Sequence, residues 1–458
     1  MSTSPSIDAA SLRTEIRGGV VTPEDPVWDD ARQAWNLAAE QRPALVVRPT
    51  SADDVAATVR FAAAAGLRVA PQCFGHGAAS LGDLEGTILM RTIGMTGVSI
   101  DPERRTARVG AGAAWRDVIG PAAEHGLVGL HGMSGGVGVM GYALGGGIGW
   151  LARAHGLAST HIRSLQVVTA DGERRDVDAD SNPELFWALR GGGGGPVVVT
   201  SVEIALFELR EAFAGALMWP LEAASEVVHG YREWITTTPE ELTSTIRLMR
   251  FPPLPEVPDP LRGRELAAIT LAFTGSEADG NELVQPLRAL GSPYLDTLAT
   301  IPAPALGDIS GDPQDPTPAI GNGLLLDRFT REAADAYLEL GGPGVQTPFT
   351  ALEIRQLGGA LKATEPDPGA GGPLTSDAAV FATGVPVDAN VAAALQRAHD
   401  AVHERLSPWF GERRSLLTFD ERGGTLRDAF TAPVADRLAA VTRSFDPDGL
   451  FLANHIVD

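Results

Sequence analysis

The distribution of glycine constrains this chain more than any other feature. Glycine makes up 53 of 458 residues, near 12% against a usual ~7%. The excess gathers between residues 75 and 195 in three clusters. The first is Gln72-Cys73-Phe74-Gly75-His76-Gly77, the second spans residues 135–149, and the third is residues 191–195, five glycines in a row. Glycine permits positive φ and close approach of the backbone to a ligand. One such cluster alone reads as a flexible turn. Three in one stretch, the first directly behind a strand, point to loops whose N–H groups cradle a phosphate.

The elements around the clusters read as alternating strands and helices. Residues 44–47 form a short apolar strand. Residues 51–54 have capping-box form, with Ser51 as N-cap and Asp54 three positions on. Val55, Val59 and Ala62 then share one helical face, and Gly66 is the stop. Residues 67–70 are the next strand, so this is a βαβ unit with two parallel strands. Hairpins are expected at 98–100 with 106–109, and at 165–169 with 174–177 around Asp171-Gly172. A short helix follows at 182–190 and a strand at 197–207. Beyond residue 210 proline clusters appear at 252–260, 302–318 and 366–373. Strand-like runs lie at 244–249, 266–273 and 352–357, and helix-like runs at 222–236 and 391–406. The final helix carries Val434, Leu438, Val441 and Phe445 at helical spacing and stops before Asp446-Pro447. No internal repeat is present. This divides the chain into residues 1–210, a second α+β domain over 211–410, and a C-terminal segment over 411–458.

Composition removes several function classes. The net charge of −22 opposes nucleic acid and anionic membrane surfaces. Residues 126–152 contain no Asp, Glu, Lys or Arg, but eleven of the 27 are glycine, which makes a loop system and not a spanning helix. The N-terminal residues lack the apolar core of a signal peptide. A single cysteine, Cys73, excludes an internal disulfide and any Cys-based zinc or iron–sulfur site, and no other metal site is expected. A soluble cytoplasmic protein, monomer or homodimer, is the expectation. A Gly-x-Gly-x-x-Gly exists at Gly136, Gly138 and Gly141. The nearest downstream acid, Asp171, is thirty residues further on, against the ~20 of the dinucleotide fingerprint. The NAD reading is therefore rejected.

Taken together these motifs resemble the berberine-bridge-enzyme-like FAD-linked oxidases, within the vanillyl-alcohol-oxidase and p-cresol-methylhydroxylase superfamily. The resemblance runs from Gly19-Val20-Val21-Thr22-Pro23 and Trp35-Asn36 through Arg42-Pro43-Ala44 and Asp54-Val55. It takes in Gly75-His76, the run Gly138-Val139-Met140-Gly141-Tyr142-Ala143-Leu144-Gly145-Gly146-Gly147, and Arg153 with Gly156-Leu157. It resumes at Leu357-Gly358-Gly359-Ala360 and ends at Arg437-Leu438, Asp446-Pro447 and Asn454-His455. It implies an α+β fold: a two-part FAD-binding domain of the PCMH type plus an antiparallel-sheet substrate domain backed by helices.

The resemblance also implies a site. His76 would carry the flavin through its 8α-methyl group, because a neutral imidazole nitrogen is a competent nucleophile. Gln72, Cys73, Phe74, Gly75 and Gly77 would surround it, with Gly132, Ser134, Gly138, Gly141, Gly145 and Gly146 from the second cluster. Relatives often have a second link from a cysteine in that cluster. Here Ser134 or a neighbour takes the place, so one covalent link through His76 is expected. Tyr142 would lie near the flavin pyrimidine edge or ribityl chain, as a catalytic residue whose hydrogen bond stabilises the anionic reduced flavin, or else simply pack. Val198 belongs to the adenine-side strand, although Gly195-Pro196-Val197 departs from the usual Asn-Phe-Gly. Asn454 and His455 would lie beside the flavin. Relatives often place an Asn-Tyr pair, with the tyrosine as base, on a last strand where this chain reads Leu417-Thr418-Phe419-Asp420. Phe419 has no hydroxyl. Glu353, sharing a strand face with Arg355, is the substitute candidate base, and a carboxylate merely paired with Arg355 is the alternative. The implied reaction is oxidation of a small organic substrate, a secondary metabolite by family habit, with O2 as acceptor. A non-redox cyclase or isomerase, or a ligand-binding protein of the same fold, is the competing expectation.

Overall fold

The computed structural model describes residues 8–363 and 367–455. The first residues of the N-terminal segment, Pro366 of the third proline cluster and the last residues of the C-terminal tail lie outside them.

The βαβ unit forms for the local reasons expected. The Ser51 hydroxyl accepts the Asp54 N–H at 3.2 Å, and the helix Ala52–Ala65 ends on Gly66 at φ +67°. The reciprocal half of the capping box is missing. Asp54 turns away and accepts from the Thr50 N–H and hydroxyl, both at 2.8 Å, and from the N–H groups of Arg17 and Gly18 at 3.0 and 3.1 Å. The helix N-terminus thereby fixes the entry of the strand Gly19–Val21. Leu45–Arg48 and Arg68–Gln72 run parallel, but not side by side. Thr87–Arg91 lies between them and pairs with both. That strand is buried along its whole length. It has no alternation to betray it, as befits a central parallel strand.

Both expected hairpins are present. They join Val198–Ala205 in a five-stranded antiparallel sheet with the order Val98–Asp101, Thr106–Gly110, Val198–Ala205, Ile162–Val168, Arg174–Val177. The second half is built on an eight-stranded antiparallel sheet. Its strands include Glu211–Pro220, Glu265–Phe273, Leu242–Arg250, Ala351–Gln356, Ala378–Gly384 and Ile320–Leu326, in that spatial order. One face carries Leu217, Ile246, Leu271 and Ile354, packed under helices that supply Val227, Tyr231, Tyr337 and Leu395. The other face meets the segment that holds and flanks the second glycine cluster: Ala214 and Ala272 pack with Leu130 and Trp150, and Leu325 and Ala379 with Ile148 and Leu157. Among the described residues no helix is long and apolar enough to cross a membrane.

The segment after the helix Ala389–Leu406 corrects one expectation. It lies along Ile320–Leu326, where Leu325 and Gly323 donate to the carbonyls of Arg414 and Phe419, each at 2.8 Å. Residues 417–420 are nevertheless not a strand. The N–H groups of Phe419 and Asp420 both turn back to the Leu416 carbonyl, at 2.8 and 2.9 Å. Closing this turn leaves too few N–H groups for a continuous ladder. The helix Ala432–Phe445 then packs Ala435, Leu438 and Val441 into the core of the five-stranded sheet. Beyond it, Asp446 accepts from the Leu450 and Phe451 N–H groups, both at 2.8 Å. The tail pairs with Val69, whose N–H donates to Leu450 and whose carbonyl accepts from Leu452, each at 2.8 Å.

Candidate functional site

Three glycine clusters, the turn 417–421, the final helix and the tail enclose one cavity of about 340 Å³, within the usual range for small-molecule and cofactor sites. It brings together all six residues 72–77, then Gly138, Gly141, Tyr142 and Gly145, then Asn454 and His455. Gly132, Ser134, Gly146, Val198 and Glu353 are not in its wall. Strand alternation explains Val198: it packs in the core below, and Val199 faces the cavity instead. The third cluster contributes residues 192–195.

The first loop is braced from several sides. Trp35 N–H donates to the Phe74 carbonyl at 2.8 Å and Asn36 N–H to that of Gly75 at 3.4 Å. Buried Arg91 donates to the carbonyls of Cys73 at 3.0 Å and Gln33 at 2.6 Å. Gly75 sits at φ +88°, and a Cβ there would meet Gln72 and Ala34 within 2.9 Å, so only glycine makes this turn. The loop presents His76 with its ring against Trp35, centroids 4.2 Å apart. Burial pushes its pKa down to about 4, although Gly136 backbone hydrogen bonding opposes this. The imidazole is therefore neutral at ordinary pH.

Several buried polar atoms on residues of the cavity wall lack a protein hydrogen-bond partner, among them the amide of Gln72, Nε2 of His76 and of His455, and the hydroxyls of Tyr142 and Thr418. Buried polar groups are normally satisfied, so this set is what a polar ligand would complete. The glycines leave the room. A Cβ on Gly141 would meet nothing within 4 Å, and one on Gly195 only Thr442 at 4.0 Å, so side chains at either would project into the cavity. A flavin dinucleotide, with hydrogen-bonding edges and a pyrophosphate suited to loop N–H groups, fits this donor set.

Other expected residues have different duties. The Cys73 thiol is pushed up to about 11 by burial, an inert loop thiol. Asn454 donates to the Gly77 carbonyl at 2.7 Å and the Ser80 hydroxyl at 2.9 Å, anchoring the tail to the His76 loop. The Tyr142 ring packs on Gly132 and Gly147 and edge-on to Trp115. Burial raises its hydroxyl well above the usual phenol range, so it is a donor and not a base. Glu353 corrects the expectation of a base. Its two oxygens meet Arg355 at 2.7 Å and Arg247 at 2.5 Å, all three side chains being buried. Burial acts to raise its pKa, but the two guanidinium groups outweigh it and hold the carboxylate ionised. Arg355 also donates to the Ile148 carbonyl at 3.1 Å, which makes this group a tie between the two halves.

Residues missed by the sequence reading sit on the turn 417–421. Thr418, Asp420 and Glu421 all face the cavity. Asp420 accepts from the N–H groups of Arg422 and Gly424, each at 3.2 Å, and lies 3.8 Å from His455. Glu421 is pushed up to about 7 by burial, with Asp420 adding to the effect against a Gly321 backbone hydrogen bond. The available signal was the paired acids Asp420-Glu421 immediately after Phe419.

Comparison with known proteins agrees with this geometry. Residues 43–178 match the FAD binding domain family. The (R)-6-hydroxynicotine oxidase of Paenarthrobacter nicotinovorans is 39% identical over 205 residues, 44% of this chain and 45% of that protein. The chain spans about half the length of the curated relatives it matches. Among solved structures, a variant of the BBE-like 1 protein of Physcomitrella patens superposes with TM-score 0.85 at 18% identity, over 98% of both chains. The glucooligosaccharide oxidase of Acremonium strictum, described as carrying 6-S-cysteinyl, 8α-N1-histidyl FAD, superposes with TM-score 0.83 at 22% identity over 98% of both.

Proposed function

From the premise that this chain carries an FAD-binding domain and the fold of the berberine-bridge-enzyme-like FAD-linked oxidases, we propose that it is an FAD-dependent oxidase of small organic molecules. FAD would be held covalently through His76 alone, and O2 would be the final acceptor. The observation that carries this reading is the neutral, stacked His76 imidazole, whose buried Nε2 has no protein partner, at the wall of a cavity lined by three glycine clusters. When bound, FAD supplies a two-electron acceptor for a hydride from a C–H bond.

The protein's own part is binding, orientation and exclusion of water. Gln72, Tyr142 and Thr418 offer hydrogen bonds to the cofactor's polar edges. Gly138, Gly141 and Gly145, with residues 192–195, let the backbone approach it closely. Trp35 fixes the His76 ring, and Asn454 closes the tail over the same loop. No cysteine accompanies Ser134, and Cys73 remains a protonated thiol, which supports single attachment. A compact donor of the secondary-metabolite type is the substrate class we propose. The lone cysteine fits a reducing, cytoplasmic setting, and a monomer or homodimer is the assembly we propose.

The test combines two measurements. Unfolded wild-type protein should keep flavin fluorescence on a denaturing gel, and the folded enzyme should release H2O2 with members of an alcohol and amine panel. Flavin lost on unfolding overturns covalency. Absence of both peroxide and dye reduction across the panel would favour the non-redox alternative.

A further inference from the structure

We propose that Glu421 is the group that accepts the substrate's proton during oxidation, an inference that rests on the oxidase reading above. Glu421 lies in the cavity wall at the border with the substrate-domain sheet. Its carboxylate occupies a notch left by Gly321 of the strand Ile320–Leu326. A Cβ at Gly321 would stand 2.9 Å from Glu421 Oε2 and 2.8 Å from the Phe381 ring. The sheet therefore leaves room for this carboxylate, and Phe381 walls it on the neighbouring strand.

The groups facing it leave it unpaired. Gly321 and Phe381 bring no charge. On its own segment, Asp420 is the neighbouring like charge, and Arg422 turns outward to Asp400 at 2.9 Å. From the tail, His455 faces Asp420 and not Glu421. Among the described residues Glu421 has no ion-pair partner. This separates the local carboxylates by environment: Glu353 is fixed between two arginines, Asp420 is held by backbone N–H groups, and Glu421 is poised near neutrality. It stands two residues beyond Phe419, where the hydroxyl of the expected tyrosine is missing.

The step balances for a donor bearing a C–H beside an O–H or N–H. The C–H bond breaks with its electron pair, and the hydride passes to the bound flavin, the two-electron oxidant. The O–H or N–H proton goes to the ionised Glu421 carboxylate as the C=O or C=N bond forms. The carboxylic acid then returns its proton to solvent.

The test uses the holoenzyme as isolated, with Glu421→Gln and Glu421→Asp. Infrared titration should show a protonated-carboxyl band lost around pH 7 in the wild type and absent in Glu421→Gln. Anaerobic flavin bleaching by the best panel donor should rise with pH across the same range. Glu421→Gln should slow bleaching on the order of 10²–10⁴-fold, abolish that rise and leave donor affinity unchanged, and Glu421→Asp should recover part of the rate. Should the Gln variant not fold, the Asp variant's shifted pH profile and the wild-type titration carry the test. Bleaching by Glu421→Gln within a few-fold of wild type overturns this proposal alone, as does a carboxyl still ionised at about pH 5. Failure of the wild type to bleach with every donor overturns the oxidase reading and this proposal together.

Discussion

The reactivity expected of His76 is a consequence of its surroundings. Burial disfavours the charged form, and Trp35 packs against the ring, so the imidazole at the cavity wall is neutral at ordinary pH. His76→Ala is therefore expected to release all of its flavin on denaturation, as a gel under ultraviolet light will show, and to melt lower once the link and the ring's packing on Trp35 are gone. Cys73→Ser should leave attachment intact, because a thiol whose pKa is near 11 is seldom a thiolate. Gly141 offers a steric check on the cavity. Its Cβ position is empty of protein, so Gly141→Val should change stability by about 1 kcal/mol or less. It should nevertheless lower the flavin-to-protein absorbance ratio by obstructing the cavity.

Among the elements, the helix Ala52–Ala65 shows how far local rules reach. Ser51, the Val55–Val59–Ala62 face and Gly66 were legible, because capping and 3.6-residue periodicity are local. The partners of Asp54 were not, since two of them, Arg17 and Gly18, are brought in by the tertiary fold. Burial acts to raise the Asp54 pKa, but its hydrogen bonds from Thr50, Arg17 and Gly18 hold it below the usual carboxylate range. A depressed folded-state pKa gives stability that is present above the unfolded value of ~3.9 and is lost as pH falls through the folded one. Asp54→Asn should thus cost about 1.5–3 kcal/mol at neutral pH, and its urea midpoint should converge with wild type at strongly acid pH. The strand Thr87–Arg91 escaped the sequence reading because a fully buried parallel strand lacks period-two contrast. Residues 417–420 were expected as a strand only through the resemblance, whereas here the Leu416 carbonyl decides a turn.

At the scale of the whole molecule, the two halves are joined by buried polar ties. Arg153 reaches from the second glycine cluster to the carbonyls of Pro239, at 2.9 Å, and Leu242. Asn36 exchanges hydrogen bonds with Ala319 at 3.0 and 3.1 Å. The Arg247–Glu353–Arg355 group is the most demanding of them. Removing the central charge leaves buried Arg355 without its carboxylate and Arg247 with Asp312 alone, at 3.2 Å, so Glu353→Gln should destabilise the fold by about 3–5 kcal/mol in urea titration. Its remaining folded fraction should turn over at the wild-type kcat, the opposite of what loss of a base would produce. These resemblance motifs, Trp35-Asn36, Arg153 and Leu357-Gly358-Gly359-Ala360, were visible as strings of letters; only the fold shows that they serve as joints.

The pairing of Val69 with Leu450 and Leu452 sets a timetable. The parallel sheet that carries the His76 loop is finished by residues synthesised some 380 positions later, and Asn454 clasps that loop last of all. On the ribosome, the N-terminal portion must wait with this edge open while the entire second half emerges and folds. The wall of the cavity is thus complete only after translation has passed residue 454, so the site cannot fill while the first half stands alone.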